Sequence, residues 1–342
     1  MKIRLVVPQV KAVPLARPRW CPHCQSPLLH QHQRVAKAII DTQMRQVVAL
    51  RYRCLGCGRT FRHYPEGVCA YRQSQRLMGL AALLWALGLS MSATSHVLHA
   101  LEAGIHKSSV LRDVHRAGLC LQGRKVVGRV RVLGADETVM GIRGKATLLG
   151  FVTDAQTGKT IGVDLLLAAD SRAFLRWLQP YVESLGAEVL VSDDLVTYKP
   201  VVESLGIEHQ VCLAHVRKWV TLRLQKVAGW EEEKALVRRL VRELPSQGGQ
   251  ALLSLERRVR RSPPLRRLVV DLMQRWPALL CHRRSQGVPS TNNRTEQAIA
   301  KSKVRYKTVR GYKSIRGALA GVALTQWLYS GAAVHHLSEL VA

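Results

Sequence analysis

The stretch VRVLGADETVMGIRGKATLLGFVTDAQTGKTIGVDLLLA, residues 130–168, decides the fold class. It divides into three runs rich in branched residues, VRVLGAD (130–136), ATLLGFVTD (146–154) and TIGVDLLLA (160–168). Such runs read as successive strands. Asp154-Ala-Gln-Thr-Gly158, between the second and third, is a hairpin-type turn. Beyond them the pattern alternates: a helix near 171–185, a strand at 187–193, a helix at 195–205, a strand at 207–211 and a helix from about 213. Three antiparallel strands followed by alternating helices and strands predict an α/β domain with a mixed sheet covered by helices.

Asp136 ends the first run, and Asp193 ends another apolar run, AEVLVSD (187–193). Glu296 stands in TNNRTEQ (291–297), just before a stretch rich in lysine and arginine. The chain has 23 Asp and Glu against 52 Lys and Arg, so acids in these places are not simply part of an acidic surface. Carboxylates that converge from separate elements can bridge two metal ions about 3.5–4 Å apart and hold them against a polyanion. Each acid also has a plainer reading. Asp136 and Asp193 suit strand-end turns, and Asn293-Arg-Thr-Glu296 suits a capping box in which Glu296 reaches back to the cap. Glu137 and Asp194 directly follow the two aspartates and compete with them, Asp194 more seriously.

The 342-residue chain is long enough for two or three domains, and 47% hydrophobic content excludes a disordered chain. A net charge of +29 points to a polyanionic partner, double-stranded DNA before a membrane surface. No basic amphipathic anchor or lipidation motif is present. The longest apolar run, Leu77–Leu89, has 13 residues, short of the roughly 20 that span a bilayer as a helix. The basic N-terminus is broken by prolines and lacks a small-residue cleavage site, so no signal peptide is read. A cytoplasmic, nucleoid-associated protein with no membrane partner is expected.

Residues 1–70 carry Cys21-Pro-His-Cys24 and Cys54-Leu-Gly-Cys57. Two C-x-x-C pairs can supply four thiolates to one tetrahedral structural zinc, although the interval 25–53 is long for a zinc ribbon. Residues 71–120 read as three short helices that stop near Gly88, near Gly104 and near 117, with Ser90 or Ser92 as a cap. They suit a helix-turn-helix-like DNA-binding domain with Lys107, Arg112, His115 and Arg116 available for contacts; an ordinary three-helix unit fits equally. Residues 230–276 look helical and very basic, interrupted by Pro263 and Pro264. After Glu296 come Lys301, Lys303, Arg305, Lys307, Arg310, Lys313 and Arg316 without an acid. Lys303 lies two helical turns beyond Glu296 on the same face, and the interleaved Tyr306 and Tyr312 suit stacking on bases.

Taken together, ADETVMGIRGKATLLGFVTDAQTGK, VSDDLVTYKPVV and TNNRTEQAIAKSKVRYKTVRGYKS resemble the two aspartate regions and the glutamate helix of bacterial insertion-sequence transposases of the DDE type. Cys212-Leu-Ala-His215 resembles the C-x-x-H motif of families with a helical insertion before the glutamate. The resemblance covers about residues 129–330. It implies an RNase H-like core at 129–216 and 291–342, a helical insertion at 217–290, and Asp136, Asp193 and Glu296 as catalytic ligands of two magnesium ions, with manganese as a substitute. DNA contacts are expected from Lys303, Arg305, Lys307, Arg310 and Lys313 in the basic run, from His215, Arg217 and Lys218 beside the core, and from Arg112 and Arg116 of the helical domain. The expected activity is cleavage and strand transfer at terminal inverted repeats by a homodimer or higher oligomer on DNA. A non-catalytic zinc and helix-turn-helix regulator, or an RNase H-like nuclease or resolvase, is the alternative.

Overall fold

The computed structural model describes residues 4–122, 128–193, 196–309 and 311–341. The chain divides into two compact units, one of residues 1–125 with 302–342 and the other of 126–301.

In the first unit, β1 (Arg4–Val6) precedes a three-stranded antiparallel sheet of β2 (Leu29–Ala38), β3 (Gln46–Cys54) and β4 (Thr60–His63). The β2–β3 hairpin fills the long interval between the cysteine pairs. It leaves at Leu29, turns beyond Ala38, and returns so that Cys54 pairs with Leu29. Sequence distance is therefore cancelled by the hairpin. Three helices follow: α1 (Gln75–Ala86), α2 (Met91–Ala100) and α3 (Lys107–Gln122). The Ser74 and Ser90 hydroxyls accept the N–H groups of Leu77 and Ala93 and cap the first two. Helix α3 runs past the expected stop near 117, burying Val110, Val114 and Ala117.

The second unit holds β5 (Val132–Ile142), β6 (Lys145–Asp154), β7 (Thr160–Leu166), α4 (Ser171–Leu185), β8 (Val189–Ser192), α5 (Tyr198–Leu205), β9 (Glu208–Val211) and α6 (Leu213–Gln225). Its sheet has the order β7-β6-β5-β8-β9, with β5, β6 and β7 antiparallel and β8 and β9 parallel to β5. The mixed α/β architecture agrees with the sequence pattern. One expectation fails: β5 does not end at Asp136. It continues to Ile142, where Arg143 and Gly144, with φ of 53° and 75°, turn the chain back into β6. Two consecutive positive-φ residues suit the twist of a tight hairpin.

Strand alternation divides the core between two faces. Leu133, Ala135 and Leu190 face Phe174, Trp177 and Leu178 of α4 and Tyr198 and Val201 of α5. Val132, Val189 and Val191 face the other way, against Ala155, Cys281 and Val288.

Helices α7 (Glu231–Glu243), α8 (Gly248–Arg258), α9 (Pro263–Leu279) and α10 (Cys281–Arg284) follow. The first three and α6 share one core that includes Val216, Val237, Leu252, Leu265, Leu272 and Trp276. The expected interruption at Pro263 and Pro264 falls between α8 and α9. The two prolines open α9, where a missing backbone N–H removes no helical hydrogen bond. After α11 (Asn293–Thr308), α12 (Ile315–Leu328) packs on α3 so closely that a Cβ at Gly118 would strike Ala320, and β10 (Val334–His336) pairs in parallel with β1. Among the described residues, no helix is long and apolar enough to cross a membrane.

Candidate active site

Parallel pairing of β5 with β8 ends at Gly134 opposite Val191. Asp136 lies two residues beyond the first and Asp193 two beyond the second, so the same register sets them abreast where β5 outruns its neighbour. By alternation Asp136 belongs with Val132, on the face away from α4 and α5, and Asp193 follows directly after the end of β8. Glu137 belongs to the opposite face, where it accepts the buried Tyr198 hydroxyl at 2.8 Å. Burial, with Tyr198 opposing it, raises the Glu137 carboxyl. Asp136 and Glu137 therefore lie on opposite faces of β5. Asp194 lies outside the described residues.

Glu296 arrives on the first turns of α11, and three contacts fix that helix start. Thr295 Oγ1 meets Thr153 Oγ1 at 2.8 Å. The Asn292 side-chain amide donates to the Ala135 carbonyl at 2.8 Å, and its backbone N–H donates to Cys212 Sγ at 3.3 Å. Gly134 makes the close approach possible, since a Cβ there would collide with the Thr295 hydroxyl. The plainer reading of Asn293-Arg-Thr-Glu296 as a capping box does not match the helix start. The helix begins at Asn293, so Thr295 takes the third position and Glu296 the fourth. Glu296 Oε1 is buried with no hydrogen-bond partner, 3.7 Å from His215 Nδ1.

Burial, followed by the charges of Asp193 and Glu137 and then Glu296, pushes the Asp136 carboxyl up to about 7. A hard divalent cation beside Asp136 would relieve that repulsion.

The cysteine pairs meet as well. Cys21 and Cys57 sulfurs are 3.8 Å apart, and Cys24 and Cys54 sulfurs 3.5 Å. Four thiolates around zinc at about 2.3 Å imply edges of about 3.8 Å, so this cluster fits a structural zinc without rearrangement. A backbone hydrogen bond at Cys57 outweighs burial and lowers the Cys54 thiol to about 6.

Among the expected DNA contacts, Lys303, Lys307, Lys313, Arg217, Lys218 and Arg112 are exposed. Arg116 is partly buried, 4.0 Å over the Tyr71 ring and 3.2 Å from Asp113. Arg305 departs from expectation. It is 4% exposed, lies 4.0 Å over the Trp85 ring and donates to the Leu89 carbonyl at 2.9 Å. Tyr312 is buried too, so it presents no ring for stacking on bases. Arg310 lies outside the described residues. The sequence alone does not single out Asn292, Thr153, Thr295 or Gly134: Asn292 and Thr295 are marked only by lying near Glu296, Gly134 only by lying near Asp136, and Thr153 by nothing.

Residues 220–320 match the model of the transposase IS66 family. The match covers the helices before Glu296 and Glu296 itself, but neither aspartate. No curated protein sequence matches the chain. Among solved structures, a Drosophila P element transposase strand transfer complex is similar at 11% identity and a TM-score of 0.33, over 77% of this chain and 80% of that one. A simian T-cell lymphotropic virus intasome in complex with the PP2A regulatory subunit B56 gamma is similar at 17% identity and a TM-score of 0.22, over 38% of this chain. This chain spans about half (51%) of that second structure's matched chain. Scores this low do not establish a common fold. The IS66-family match supports an insertion-sequence transposase, a DNA-processing enzyme.

Proposed function

We propose that the chain is a DDE-type DNA transposase that cuts and joins DNA at the ends of its own element. One observation carries the reading: the register of β5 and β8 sets Asp136 beside the Asp193 segment, and the Asn292 and Thr295 contacts dock the helix that carries Glu296 on the same strands. The sheet order β7-β6-β5-β8-β9 supports an RNase H-like core at 129–216 and 291–342. Helices α7 to α10 form the insertion at 217–290.

Asp136, Asp193 and Glu296 would hold magnesium, or manganese in its place, and the bound ions would supply Lewis-acid polarisation of the phosphoryl oxygens and a nucleophile at neutral pH. Asp136 and Asp193 are fixed by the sheet. Asn292, Thr295 and Gly134 position Glu296 by docking α11 on β5, and His215 lies beside its carboxylate. Exposed Lys303, Lys307, Lys313, Arg217, Lys218 and Arg112 contact the DNA backbone, with Arg116 at the edge of the helical domain 71–120. The zinc-ribbon module 1–70 joins that domain in recognising terminal repeats, and the active species is a homodimer or larger assembly on DNA. Under this reading the protein resides with the nucleoid.

The test is strand transfer on DNA carrying the element's ends. Asp136→Asn, Asp193→Asn and Glu296→Gln are each expected to abolish joined products while DNA binding persists. Full activity in any of them removes that residue from the site. Nicking without joining by the wild-type protein favours a nuclease.

A further inference from the structure

We propose that Cys212, His215 and Glu296 form a second metal site, for one soft divalent ion of the zinc class. One ligand atom from each lies within 4.8 Å of the others. Cys212 precedes α6 and His215 lies three residues on, in its first turn, so the helix holds both toward Glu296. His215 Nδ1 and Glu296 Oε1 are buried, 3.7 Å apart, and neither has a hydrogen-bond partner. Two nitrogen or oxygen ligands of one tetrahedral zinc sit about 3.4 Å apart, so a small inward movement would let one ion satisfy both orphaned atoms. The Asn292 N–H donates to Cys212 Sγ at 3.3 Å and orients the sulfur beside His215 and Glu296.

A thiolate, a neutral imidazole and a carboxylate together balance a divalent charge. That mixed set prefers zinc to magnesium, which seeks oxygen. Because Glu296 also belongs to the proposed magnesium ligands, the two ions compete for one carboxylate. This consequence rests on the transposase reading; the binding itself does not.

Metal content of the full chain, equilibrated with micromolar zinc and freed of unbound ion, tests the site. Wild type is expected to hold two zinc ions. Cys212→Ser, His215→Ala and Glu296→Gln should each hold one, and Cys21→Ser/Cys24→Ser should also hold one. Cobalt added to one-zinc wild type should give a thiolate charge-transfer band that Cys212→Ser and Glu296→Gln both lack. The side chain of Glu296 is partly exposed, so its variant remains informative if Cys212→Ser misfolds. A single zinc in wild type, or two that survive both Cys212→Ser and Glu296→Gln, overturns the proposal. Binding is the readout, so loss of transposition leaves this result standing.

Discussion

Thr153 and Thr295 meet hydroxyl to hydroxyl at 2.8 Å, and this contact joins β6 to the first turn of the helix that carries Glu296. It forms only because Gly134 leaves room between them. Gly134→Ala is therefore expected to push α11 off the sheet. Overpacking of this kind costs about 1–3 kcal/mol of stability. A displacement of about 1 Å at a reacting group costs about 10²-fold in rate. Thermal unfolding and strand transfer measured on the same protein check both. A variant with wild-type joining would show that the helix start has slack.

Adjacent acids on opposite sheet faces should behave differently. Asp136→Asn removes a proposed metal ligand, and losing several kcal/mol of charge stabilisation lowers strand transfer by about 10³-fold or more. Glu137→Gln keeps an acceptor for the Tyr198 hydroxyl, whose proton burial and the Glu137 charge hold firmly in place. It is expected to retain activity within about tenfold, with any loss traceable to stability. Equal losses in the two variants would remove the parity argument.

Strand parity explains why some of the site was legible in the sequence and some was not. The runs ending at Asp136 and Asp193 announce strands through their branched residues, and parallel pairing of two such strands sets the acids abreast. The end of β5 was misread because Glu137, Thr138 and Gly141 dilute the apolar signal, whereas pairing with β6 carries the strand to Ile142. Arg305 was misread for a different reason. A cation in a basic run looks solvated, and only the tertiary placement of Trp85 and the Leu89 carbonyl turns it inward. Asn292 and Thr295 carry no signal beyond their nearness to Glu296, since a short polar segment looks the same whether it docks a helix or caps one.

His209 sets a pH limit on the second unit. It lies on β9, hydrogen-bonded to the Ser192 hydroxyl at 2.8 Å, and burial lowers its imidazole to about 4. An unfolded histidine takes its proton near 6.5. Below that value the unfolded chain binds a proton that the folded chain refuses. The stabilisation is therefore complete above 6.5 and is lost as pH falls toward 4, by up to about 3 kcal/mol. Denaturant unfolding of wild type and His209→Gln across this window measures it. Their difference should shrink as pH falls; a constant difference would exclude the imidazole as its source.

Removing zinc from the cysteine cluster should unfold the sheet of the first unit and leave the sheet of the second folded. The cysteine cluster closes a three-stranded sheet whose own core is small: Leu29 and Tyr52 with the buried thiols. A strong chelator is expected to release hydrogen-exchange protection throughout β3 while β5 amides keep theirs. Joint loss in both strands would mean that the units do not fold separately.

Two cations on one helix should separate DNA binding from stability. Lys307 is exposed near the end of α11, whereas Arg305, two residues earlier, is buried. If Lys307 contacts a phosphate, Lys307→Ala should lower the slope of log affinity against log salt by about one and leave unfolding unchanged. Arg305→Ala loses a desolvated cation–π contact with Trp85 and a charged hydrogen bond to the Leu89 carbonyl. It should therefore cost roughly 2–4 kcal/mol of stability and keep the wild-type salt slope at temperatures where the variant is folded. Salt-dependent binding and thermal unfolding of both variants decide the matter. A reduced slope in Arg305→Ala with undiminished stability would return that residue to the DNA surface.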